Sequence, residues 1–137
     1  MTLDLRQGFF VAWNEQHLNF YNFKLGASQL DNTKCSVQFE CDQISSKEDF
    51  ITDLLIYNEM HYFVIATNYG NISVYKWDHR QGTKQFMHTF KGHSRTVTSL
   101  KLIESNQASN FSNFVSASLD GSIRIWSLDK LIELYKF

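Results

Sequence analysis

Three stretches of this chain can be laid over one another without a gap, and that internal repeat limits the fold more than any other feature. Residues 114–126 read FVSASLDGSIRIW, residues 63–75 read FVIATNYGNISVY, and residues 9–21 read FFVAWNEQHLNFY. Each is an apolar stretch, a polar break, and a second stretch in which apolar and polar side chains alternate. In the two later copies the break holds Gly121 or Gly70, the residue type that accepts the positive φ a short hairpin needs. After Gly121, Ile123 and Ile125 fall on one side and Arg124 and Trp126 on the other, as the two-residue period of a strand dictates. The flanks repeat as well. Residues 97–102 (VTSLKL) precede the last copy as 51–56 (ITDLLI) precede the middle one, and extended stretches at 35–39, 85–90 and 131–137 follow the three copies.

The unit is therefore strand, hairpin, strand, with a period of about fifty residues, in the range that marks solenoids and propellers. Four-stranded sheets repeated radially make a propeller. The expected fold class is all-β, one domain over residues 1–137. It divides into a partial blade at 9–43 holding strands two to four, a degenerate blade at 44–92, and a well-matched blade at 93–137. Two windows also read as helix. Ser45, Ser46 and Glu48 resemble a capping box ahead of Phe50, Ile51, Leu54 and Leu55 on one helical face. Asp129 stands ahead of a Leu131, Ile132 and Tyr135 stripe. Their places in the repeat favour strand for both 46–57 and 129–137.

Composition narrows the function classes. Hydrophobic residues make up 43% and charged residues 20%, as in an ordinary globular protein. The aromatic share of 15%, with 12 Phe and 6 Tyr, suits pleated, half-buried surfaces. Thirteen basic residues against 14 acidic ones, with no basic block, lack the electrostatic footprint of a nucleic-acid binder. No apolar run approaches the roughly 20 residues of a membrane span, and the start does not read as a signal peptide. The expectation is an intracellular protein without nucleic-acid or membrane partners. Cys35 and Cys41 fit no common metal spacing and read as buried thiols, with one disulfide as the alternative.

The last unit resembles the WD-repeat family. Gly92-His93 precedes the first strand, followed by Val97, then Ser116, Ser118, Asp120 and Gly121 in the turn motif and Ile123 to Trp126 at the close. Ser127 stands where the family's name-giving Asp falls. The resemblance implies an incomplete WD-type β-propeller of four-stranded antiparallel blades, and a hydrogen-bonded chain through His93, Ser116, Asp120 and Trp126. The physics suits those residues. An ionised Asp120 only accepts, His93 donates to it and accepts from Ser116, and a buried indole N–H needs an acceptor. The other units depart from the pattern: Ile65, Tyr69 and Tyr75 replace the Ser, Asp and Trp in the middle one, with Asp42 near the place of the His. Val11, Glu15 and Tyr21 replace them in the first.

Ser116, His93 and Asp120 also have the composition of a catalytic triad, but Ser116 falls inside a strand, and a nucleophile needs an exposed, strained turn beside an oxyanion hole. The five His residues, at 17, 61, 79, 88 and 93, have no partner at metal-ligand spacing. Gly70 and Gly121 are isolated turn glycines rather than a phosphate loop, and Asp49 and Asp53 read as carboxylates on a solvated segment. No cofactor, metal or catalytic residue is expected. The polar loops at 104–113 and 78–83 read as exposed insertions.

In this family, partners often bind the face where the strand-two-to-three turns gather. The resemblance implies a partner-binding face made here by Phe50, Thr52, Asn68, Thr96, Thr98 and Leu119, though the Phe50 ring also fits a core position. The functional expectation is a non-catalytic scaffold that binds proteins or peptides, completed by further blades or other subunits. Its long, degenerate repeats are similar to those of large structural WD-repeat proteins, cytoplasmic and ciliary ones included. The alternative is the regulatory propeller region of a longer enzyme. A small-ligand binder would need a concave polar pocket.

Overall fold

The computed structural model describes residues 2–4, 9–14, 17–22, 35–40, 46, 48–57, 62–78, 83–103 and 113–137. Up to residue 40, side chains are described only at 13, 14 and 17–19. Glu15, Cys41, Asp42, Ser45, His61 and His79 lie outside the described residues, as do loop positions 80–82 and 104–112. Contacts divide the chain into two compact units, Met1–Ile51 and Thr52–Phe137.

The first unit holds one antiparallel sheet in the order β1-β2-β3-β4: Thr2–Asp4, Phe9–Asn14, His17–Asn22 and Cys35–Glu40. The hairpin of β2 and β3 is in register from Phe9 opposite Asn22 to Asn14 opposite His17. Sequence reading begins this blade at Phe9 with three strands. The structure pairs Thr2 with Val11 and Asp4 with Phe9, adding a fourth. Three residues are too few to display a two-residue period, which is why β1 is silent in the sequence.

The second unit holds two more four-stranded antiparallel sheets. One is β5 (Ile51–Tyr57), β6 (Tyr62–Thr67), β7 (Ile72–Asp78) and β8 (Thr83–Phe90), in that order. The other is β9 (Val97–Ile103), β10 (Asn113–Ser118), β11 (Ile123–Ser127) and β12 (Ile132–Lys136). Both windows that also read as helix are strands. The capping-box residues leave a single turn closed by the Asp49 N–H to Ser46 carbonyl bond, 3.2 Å, before β5 begins. Asp129 stands in the turn that leads into β12.

The two central hairpins of this unit close alike. The Gly70 N–H donates to the Thr67 carbonyl at 3.2 Å and the Gly121 N–H to the Ser118 carbonyl at 3.1 Å. Both glycines are left-handed, at φ 83° and 82°, as in a three-residue loop that ends in a left-handed residue. Gly70 is constrained twice: a Cβ there would lie 2.5 Å from the His93 carbonyl oxygen. One core serves both sheets, with Val64, Ala66, Ile72, Val74 and Phe90 of the middle sheet clustered with Val97, Leu100, Phe114 and Trp126 of the last. The Phe90 ring meets Phe114 edge-on at 5.4 Å and Trp126 at 5.1 Å. Each fully buried side chain of this kind contributes about 1.5–3 kcal/mol.

The seam between these sheets is polar as well as apolar. β5 and β9 are edge strands of their sheets, and unpaired edge groups need partners. Thr52 Oγ1 donates to the Val97 carbonyl at 2.6 Å, and Asp53 Oδ2 accepts the Leu100 N–H at 2.7 Å. Reading Asp49 and Asp53 as solvated carboxylates is therefore corrected: Asp53 ties two sheets together, and Asp49 is fully buried. A carboxylate beside an edge strand finds backbone N–H groups that no sequence window displays.

Candidate functional site

The last blade brings His93, Ser116, Asp120 and Trp126 together. His93 lies in the segment entering β9, Ser116 in the middle of β10, Asp120 in the hairpin turn and Trp126 in β11. Trp126 Nε1–H donates to Ser116 Oγ at 2.8 Å, Ser116 Oγ is 2.7 Å from His93 Nε2, and His93 Nδ1 is 3.0 Å from Asp120 Oδ2. One set of directions satisfies every member. An ionised Asp120 can only accept, so Nδ1 carries the donated proton and Nε2 accepts from the Ser116 hydroxyl.

Sequence reading missed Ser122 and Ser94. The Ser122 hydroxyl donates to Asp120 Oδ1 at 2.6 Å and lies 3.1 Å from His93 Nδ1, while its backbone N–H reaches the same Oδ1 at 2.8 Å. The Ser94 N–H donates to Oδ2 at 3.1 Å. The signal for Ser122 was present: an Asp in a turn readily accepts the N–H two residues on. Burial alone would raise the Asp120 carboxyl. The Ser122 hydroxyl and N–H, then His93 and the Ser94 N–H, outweigh it and hold that carboxyl well below the usual carboxylate range.

Ser116 is fully buried, with its oxygen engaged by both the indole and the imidazole. It ties β10 to Trp126 of β11 and to His93 in the segment entering β9. Around this chain, Arg124 is only 8% exposed, ion-paired with Glu133 and lying over the Trp126 ring at 6.0 Å. A Cβ at Gly92 would come within 2.5 Å of the Arg124 guanidinium, so this position of the Gly-His pair leaves room for the arginine. The middle blade replaces the polar chain with apolar contact. Ile65 is buried where the Ser would stand, and Tyr75 stacks on Phe63 at 5.4 Å and meets Phe86 edge-on at 5.7 Å.

The six residues of the expected partner face divide. Thr96 joins two others: its hydroxyl donates to the Asn68 carbonyl at 3.0 Å, and its own carbonyl accepts the Leu119 N–H at 2.9 Å. Thr98 is exposed and donates to the Ala117 carbonyl at 3.2 Å. Thr52 spends its hydroxyl on the seam. Phe50 is an exposed residue of the first unit. Leu119 is exposed, and so are Tyr69 of the middle hairpin turn and Arg95 of the strand-entry segment, which sequence reading did not assign to this face. Among the described residues, no group of three His, Cys, Asp or Glu side chains is arranged to hold a metal ion, and no helix is long and apolar enough to cross a membrane.

Four consecutive strands per antiparallel sheet, with a His–Ser–Asp–Trp chain in the last, define an incomplete WD-type β-propeller. Comparison with known proteins agrees: residues 84–127 match the family described as WD domain, G-beta repeat. No curated protein matches the chain in sequence. Among solved structures, it is similar to the crystal structure of Sqt1 from Saccharomyces cerevisiae, with a TM-score of 0.67 and 19% identity over 95% of this chain. The likeness is one of fold, and the chain spans only 32% of that protein's length.

Proposed function

We propose that the chain is a non-catalytic interaction scaffold that works as part of a larger propeller or multi-subunit assembly. The observation that supports this most directly is the burial of β11. Its Arg124 and Trp126 face is covered, while on the opposite face Ile123 is 48% exposed. Register places Val115, Ile125 and Tyr135 on that same outer face, and Phe137 pairs with Ile123 through two backbone hydrogen bonds. Tyr135 and Phe137 are 62% and 73% exposed. A contiguous apolar face of this kind marks an association surface.

The repeat supports one way of completing it. Thr98 and Ser99 stand in the last blade where Thr52 and Asp53 stand in the middle one, and the middle pair binds the edge of the following sheet. The outer face therefore suits another four-stranded blade, supplied by further chain or another subunit. The turn cluster of Asn68, Tyr69, Arg95, Thr96 and Leu119 is left for protein or peptide partners. WD-type repeats serve widely as protein-interaction surfaces, and the Ser116 geometry adds no catalytic reading.

Light scattering after size exclusion tests this. The expected result is a discrete multimer, or a stable species only together with other subunits, reverting toward monomer in an Ile123→Glu/Tyr135→Glu variant. A stable, monodisperse monomer of the unaltered chain overturns it.

A further inference from the structure

In each of the three sheets the fourth strand is an edge strand, so β4, β8 and β12 pair with the third strand on one side only. The register of that pairing shifts once in every sheet. Phe20 faces Val37 and Tyr21 faces Cys35 in the first. Val74 faces His88 and Tyr75 faces Phe86 in the middle one, and Ile125 faces Tyr135 and Trp126 faces Glu133 in the last. Each edge strand therefore carries one extra residue: Ser36, Met87 and Leu134. All three fall at the same place in the repeat, beside the aromatic residue that closes the third copy stretch and three positions before Phe39, Phe90 and Phe137. We propose that this recurring bulge closes the β4, β8 and β12 edges to strand addition, so that copies of the chain do not pair edge to edge.

The edges need such a guard. An open strand presents a row of N–H and C=O groups that templates another chain. The middle sheet has the longest of these edges, eight residues from Thr83 to Phe90, with Phe86 and Met87 each 40% exposed. An extra residue interrupts the ladder, bends the strand and increases its twist, which removes the straight template. The scaffold reading concerns blade faces; the guard concerns the edges and does not depend on it.

The bulge also outlasts the rest of the repeat. The middle blade has Ile65, Tyr69 and Tyr75 in place of the Ser, Asp and Trp of the polar chain, yet its register shifts at the same position. The extra residue is Ser, Met or Leu, so what recurs is the backbone geometry and not a side chain. In the last sheet the shift sets Glu133 opposite Trp126, and the Glu133 carboxylate pairs with the buried Arg124. A charge turned inward from an edge strand is a second device against strand addition.

The test uses the full chain with Met87 deleted. Phe86 keeps Tyr75 as its partner and His88 keeps Val74, so the shortened strand can form an unbroken ladder. The deletion is placed in the Ile123→Glu/Tyr135→Glu variant, which removes the face contacts and leaves the edge to be read alone. Light scattering should then show added species of higher mass as concentration rises, and amide exchange in β8 should slow by about tenfold or more. Met87→Ser keeps the extra residue and should leave both mass and exchange unaltered. Should thermal melting show the deletion variant unfolded, deletion of Leu134 in the Ile123→Glu variant, read by exchange in β12, decides. A folded deletion variant with unaltered mass and exchange overturns the proposal. So does association by Met87→Ser, which would lay the effect on the side chain. Unfolding of both deletion variants overturns it as well, because the bulge would then be a requirement of the blade and not a guard of its edge. A monodisperse monomer of the unaltered chain removes the scaffold reading without touching the guard, so the two fail separately.

Discussion

Asp53 and Leu100 are 47 residues apart in sequence, yet the Asp53 carboxylate accepts the Leu100 backbone N–H at 2.7 Å while its other oxygen accepts the Leu54 N–H at 2.9 Å. One side chain thus satisfies an N–H on the open edge of the next sheet. Asp53→Ala leaves the Leu100 N–H without its acceptor and should cost about 1–3 kcal/mol. Asp53→Asn retains one acceptor oxygen and should cost less. Amide hydrogen exchange at Leu100 reads the seam directly; an exchange rate unchanged by Asp53→Ala would refute its role there.

The polar chain of the last blade should behave as a unit. His93→Ala and Asp120→Ala each strand partners inside the blade and should destabilise by about 1–3 kcal/mol in urea unfolding. Ser116→Ala removes the acceptor of Trp126 and the donor to His93 together. The double variant Ser116→Ala/His93→Ala should therefore cost less than the two single losses added. Strict additivity would mean that the four residues act separately.

Much of this blade is legible in the sequence, because hairpin glycines and two-residue alternation are local signals. Alternation places Arg124 and Trp126 on one side of β11 and Ile123 on the other, but it does not say which side is buried. Hydropathy alone would bury Ile123. The structure covers the arginine instead, because Glu133 pairs with it and the Trp126 ring lies beneath it. The seam was silent for a different reason: Thr52 and Asp53 meet a strand that lies far along the chain. Ser122 was readable from turn chemistry, whereas β1 is too short to carry a pattern at all.

Stability should depend on pH through Asp120. Its carboxyl is held below the ordinary value of 3.8 in the folded chain, so in acid the unfolded chain binds the proton first. The contribution is full above about pH 4 and is lost as pH falls through the lower folded-state value. Asp120→Asn removes this titration. The stability difference between the unaltered chain and this variant should be constant near neutrality and shrink below about pH 4. A difference that holds steady through this range would show that Asp120 is not the group responsible.

Gly70 and Gly121 share a left-handed φ, 83° and 82°, but not their surroundings. A Cβ at Gly121 meets nothing within 4 Å, whereas one at Gly70 would lie 2.5 Å from the His93 carbonyl oxygen and 3.0 Å from that of Arg95. Gly121→Ala should therefore cost only the left-handed penalty of about 1–2 kcal/mol. Gly70→Ala carries that penalty and must also push the His93 segment away, which disturbs the imidazole that anchors the polar chain of the next blade. The expected order is a clearly larger loss for Gly70→Ala, with Gly70→Ala/His93→Ala less costly than the sum of the two. Equal losses at the two glycines would mean that the turn of the middle blade does not bear on the last one.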